Sequence, residues 1–104
     1  MKNIKDLYDR NIRFTGERDG HIEIDHPEMR GQYDKIQETL NNPFIIIKSR
    51  TDKNVEMFYK HYEKTPVTEK YLCVVVKTLS NDSFILTVYF TDTIKKGEIL
   101  WKKK

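Results

Sequence analysis

The sequence predicts an α+β fold, with helix in its N-terminal part and a four-stranded antiparallel sheet after it. Two observations lead there. Met29, Tyr33, Ile36 and Leu40 recur at helical spacing, with Asp34, Lys35, Gln37 and Glu38 on the other face. From Phe44 onward the pattern changes to four β-rich runs joined by short, turn-prone connections, which favours an antiparallel meander over parallel crossovers. A chain of 104 residues with 38% hydrophobic content sustains one core, so residues 1–104 are read as a single domain.

The elements follow in order. Asn11 to Thr15 and His21 to Asp25 both alternate, and Gly16 and Asp19-Gly20 between them suit a hairpin, so local pattern favours two short strands. The alternative is a helix capped by Thr15 and running to Asp25, weakened by Gly16 and Gly20. Pro27 suits a first helical position, and the helix it opens closes at Asn41-Asn42-Pro43, because a residue before proline is pushed out of helical geometry. The four strands are Phe44 to Arg50, Val55 to Glu63, Lys70 to Leu79 and Phe84 to Asp92. The third, apolar at nearly every position, is expected at the centre of the sheet. In the fourth, Phe84, Leu86, Val88 and Phe90 alternate with Ile85, Thr87, Tyr89 and Thr91. The first set should meet the helix, leaving hydroxyls on the opposite face where a ligand could lie.

Charge is unevenly distributed. The net charge is +3, yet residues 95–104 alone carry +4 and form a basic C-terminal end, leaving the other 94 at −1. Such an end either solubilises a chain or steers it toward phosphate. The N-terminal residues lack the apolar core of a signal peptide and no run has the length of a membrane span, so a cytoplasmic location without membrane partners is expected. Cys73 lies alone within an apolar run, where a thiol behaves as a small hydrophobe.

The segment Gly20 to Met29 concentrates two of the three histidines with three carboxylates, a composition suited to proton transfer near neutral pH. His21 and Asp25 would share a helical face, but no third ligand stands at suitable spacing, so neither metal nor cofactor is expected.

Several separated segments also resemble one family pattern. They are His21-Ile22, His26-Pro27-Glu28-Met29, the Asn41-Asn42-Pro43 helix end, Phe58-Tyr59-Lys60, the Lys70 to Lys77 strand, the Phe84 to Asp92 strand and Lys95-Lys96-Gly97-Glu98 leading to Trp101. In this order they resemble the phage-associated branch of the barnase–EndoU–colicin–RelE (BECR) nuclease fold. The resemblance implies N-terminal helices packed on one face of a four-stranded antiparallel sheet, with His21 to Asp25 helical. It also implies a metal-independent ribonuclease or toxin-like activity, with RNA and an antitoxin or immunity protein as partners. One position departs from the family: Asp25 stands where an arginine usually precedes the second histidine, and its charge would repel a phosphate held there.

Cleavage of RNA through its 2′-hydroxyl needs a base, an acid and groups that stabilise the phosphate. His21 is the first candidate for proton transfer, with His26, Thr87 and Lys60 completing the catalytic set. Arg13 and Lys77 are candidates for phosphate, and Tyr89 and Tyr59 for stacking on unpaired bases, although packing in the sheet is the competing role for each ring. The alternative function is a non-catalytic module on the same fold that binds RNA or a protein.

Overall fold

The computed structural model describes residues 2–104, in the order β1 (Lys2–Lys5), β2 (Asn11–Phe14), α1 (Gly16–Asp25), a 3₁₀ turn (Pro27–Met29), α2 (Tyr33–Asn41), β3 (Ile45–Lys48), β4 (Val55–Tyr62), β5 (Lys70–Thr78), β6 (Ser83–Thr91) and β7 (Glu98–Lys102). All seven strands join one sheet in the order β1-β2-β6-β5-β4-β3-β7. The expected architecture, helices on a four-stranded antiparallel sheet, is therefore incorrect: the protein is mostly sheet, seven strands in one, and its two α-helices only supply residues to one of the faces. Pairing is antiparallel except where Arg13 of β2 meets Phe84 of β6 in parallel.

Both strands that sequence pattern missed lie at the ends of the sheet. Only Ile4 of β1 is buried, and the apolar centre of β7, Ile99-Leu100-Trp101, is set among lysines. An edge strand buries too little to impose a hydrophobic pattern, and lysine is a common edge residue because it discourages unwanted pairing.

The central strands do alternate, and their register builds two different faces. Ile46, Phe58, Val74 and Val88 stand in one row across β3, β4, β5 and β6, each fully buried. Ile22, Met29, Ile36 and Leu40 share their cluster, as do Ile4, Ile12 and Phe14. On the reverse face the neighbouring row reads Ile45, Tyr59, Cys73 and Tyr89. No residue of α1 or α2 belongs to the cluster formed there.

A bulge in β6 changes the expected alternation. Val75 pairs with Thr87 but Val76 pairs with Ile85, so Leu86 is the extra residue. The insertion turns Ile85 to the helix-covered side, where it is 1% exposed beside Val88, in place of Leu86.

The helix α1 settles the ambiguous N-terminal segment. Thr15 accepts the Arg18 N–H at 3.1 Å through its hydroxyl, and Glu17 and Asp19 occupy the acid-favouring first turn. Ile22 and Ile24 would share one face of a strand; in the helix Ile22 reaches the core while Ile24 stays exposed. The helix expected from Pro27 to Asn42 is interrupted, because Gly31 takes a left-handed φ of 76° between the 3₁₀ turn and α2.

The β1–β2 turn folds toward the helices. Leu7 N–H donates to the Leu40 carbonyl at 2.9 Å, meeting an acceptor left open near the end of α2. The buried Asp6 carboxylate accepts the Tyr8 and Arg10 N–H groups and the Arg10 side chain, whose remaining nitrogens reach Glu56 of β4 at 2.7 and 3.3 Å. No helix among the described residues is long and apolar enough to cross a membrane.

Candidate functional site

The reverse face carries the hydroxyls of Tyr59, Tyr71, Thr87, Tyr89 and Thr91. β6 and β7 are separated in the sheet by β5, β4 and β3, so the connection over residues 92–97 must cross this face. Ile94 packs against the cluster formed by Ile45, Ile47, Met57, Tyr59 and Cys73, and the Lys95 N–H donates to the Tyr59 hydroxyl at 3.1 Å. Gly97 permits the crossing: a Cβ there would stand 2.7 Å from Ile47 Cγ2 and closer still to the Lys48 carbonyl oxygen.

Tyr59 and Cys73, beneath this connection, and Tyr89 beside them form a neutral polar row. Burial pushes the Cys73 thiol up to about 11 and raises both tyrosine hydroxyls well above their ordinary range. Cys73 therefore stays a thiol near neutral pH and offers no nucleophile. Tyr59, with no exposed surface, has no ring face left for a base to stack on. Outside the connection the face remains half-open at Tyr71, Val75, Thr87, Tyr89 and Thr91.

His26 stands at the β6 side of this face. It terminates α1, where its own N–H donates to the Ile22 carbonyl at 2.7 Å. Its half-buried ring lies 6.0 Å from the ring of Tyr89, and Nδ1 is 3.5 Å from the Glu28 carboxylate. His26 and Tyr89 are thus brought together, with Thr87 two residues along β6.

His21 is placed elsewhere. It is exposed on α1, 3.8 Å from Glu17, in a shallow groove lined by Thr15, Glu17, Arg18 and Asp25. Lys60 belongs to the helix-covered side, where Nζ donates to the Asn42 carbonyl at 3.0 Å and so supports the C-terminal end of α2. Tyr62, on the same side, donates to Glu38 at 2.6 Å. Alternation along β4 puts Lys60 and Tyr59 on opposite faces, so Lys60 and Thr87 do not converge.

The two candidate phosphate ligands are already paired. Arg13 grips Asp82 through two nitrogens at 3.0 and 2.7 Å and lies over the Phe84 ring, while Lys77 is bonded to Asp52. These bonds hold the Asp82 and Asp52 carboxyls below their usual range. Across the sheet, Arg13, Phe84 and Lys77 occupy one row.

Sequence reasoning passed over His61. Its Nε2 is 2.9 Å from the Glu69 carboxylate, its ring meets Tyr71 edge-on at 5.2 Å, and a groove joins these residues to the Lys70–Asp92 pair. The signal was present: His61 follows the Phe58-Tyr59-Lys60 segment and lies across β5 from Tyr71, but only the strand register reveals that neighbour. Among the described residues, no three histidine, cysteine or carboxylate side chains are grouped to hold a metal ion. No protein-family profile, curated protein or solved structure matches this chain.

Proposed function

We propose that this chain is a cytoplasmic RNA-acting domain that uses the half-open face of the sheet, with His26 as the proton-transfer group of a metal-independent cleavage. The observation that carries this reading is the pairing of His26 with Tyr89, 6.0 Å apart, beside Thr87 on a face no helix covers. A half-buried imidazole beside a hydroxyl-bearing sheet face suits removal of a 2′-hydroxyl proton. Tyr71 can stack an unpaired base, and Lys95 and Lys96, which make no ion pair among the described residues, stand in the connection over the same face.

A second reading, binding of RNA without cleavage, is favoured by Glu28 beside His26 and by Asp25 before it, since two carboxylates oppose the seating of a scissile phosphate at His26 but not the holding of the backbone elsewhere by Lys95 and Lys96. Incubation of the purified chain with unstructured RNA in EDTA separates the readings. Cleavage that falls by about 10²- to 10⁴-fold in His26→Ala, with His21→Ala near wild type, supports the first. Salt-sensitive binding without turnover supports the second, and neither binding nor cleavage overturns both.

A further inference from the structure

We propose that the outer edge of β7 is a docking strand for an extended acidic segment of a partner protein. This inference is independent of the RNA reading and rests on three features of residues 95–104. β7 is the last strand of the sheet, paired with β3 on one side and with no other strand among the described residues. The outward backbone groups of such a strand form a ladder that another peptide backbone matches in spacing and direction. On this strand Ile99 is 57% exposed, an apolar side chain that an incoming strand could cover.

Charge selects the partner. Lys95, Lys96, Lys102, Lys103 and Lys104 make no ion pair among the described residues, whereas Arg10, Arg13, Lys70 and Lys77 are each joined to a carboxylate. Lys102 lies over the Phe44 ring at 5.9 Å, an arrangement that leaves its charge available. The opposite edge differs: β1 packs against α2, and Lys2 sits 3.7 Å above the ring of Tyr33. The lysines would repel a basic strand and a second copy of the same +4 segment and gain nothing from a neutral one, so the edge disfavours general pairing and favours carboxylates.

Trp101 is the only tryptophan and lies in β7, so its fluorescence reports on this edge directly. The probe is a peptide of about ten residues alternating glutamate and valine, compared with its lysine–valine counterpart, a copy N-methylated at alternate amides, and a single-stranded RNA of similar charge. Binding of the glutamate peptide should shift Trp101 emission and slow hydrogen exchange in β7. N-methylation, or the exposed triple change Lys102→Glu, Lys103→Glu and Lys104→Glu, should each weaken binding by roughly tenfold or more. The proposal is overturned if the N-methylated peptide binds as well as the parent, if the glutamate peptide does not bind, if RNA alone perturbs β7, or if the chain self-associates through this edge.

Discussion

The two faces of the sheet are built from the same strands but are closed in different ways. On the helix-covered face, the row Ile46, Phe58, Val74 and Val88 is sealed by Ile22, Met29, Ile36 and Leu40, and the polar residues nearby brace α2. On the reverse face a short connection anchored by Ile94 and Gly97 covers Tyr59 and Cys73 but leaves Tyr71, Thr87 and Tyr89 half-open. A face sealed by helices supplies stability. A face crossed by one connection keeps functional groups within reach of solvent.

The contrast predicts unequal costs of truncation. Phe58→Ala removes a fully buried ring from the helix-covered row and should cost about 3–5 kcal/mol in urea denaturation; Tyr71→Ala, which truncates a partly buried ring, should cost less. Equal losses would mean that the reverse face is as tightly packed as the other. Gly97→Ala tests the connection: the new methyl group meets Lys48 and Ile47, and destabilisation by about 1–3 kcal/mol is expected, with faster exchange at the Lys95 amide. A neutral outcome would show that the connection lifts from the face without cost.

The smallest effect concerns the charged row at Arg13 and Lys77. Asp52 and Asp82 have carboxyls held below their ordinary value, so each pairing favours the folded state above the unfolded carboxylate pKa of about 3.9 and loses that advantage as pH falls through the lower folded value. Because both pairs are partly solvated, stability should decline only slightly more steeply with acid in wild type than in Asp52→Asn/Asp82→Asn. Identical acid profiles would remove these pairs from the account.

Much of the centre was legible because its residues carry strong period-two patterns. The observed β4 and β5 differ from the expected runs by one residue at the C-terminal end and β6 by one residue at each end, and Phe58, Val74 and Val88 are fully buried as their pattern requires. The bulge at Leu86 was not legible, because one inserted residue changes facing without changing composition. The N-terminal segment was ambiguous for a related reason: Ile22 and Ile24 satisfy a strand locally, and only docking on the core rewards Ile22 alone. Of the candidate site, the histidine-bearing segment and the hydroxyl face were visible in outline. Their division between His26 beside Tyr89 and His21 in its own groove was not.

The sequence by itself determined the central strands, the basic character of residues 95–104 and the burial of Cys73, because each depends on local pattern and composition. Tertiary structure alone decided that the sheet has seven strands, that Lys60 reaches the Asn42 carbonyl while Tyr59 receives the Lys95 N–H, and that β7 lies at an open edge. Edge pairing, register and the crossing of residues 92–97 are set by contacts between segments far apart in the chain, and such contacts leave no periodic trace in either partner.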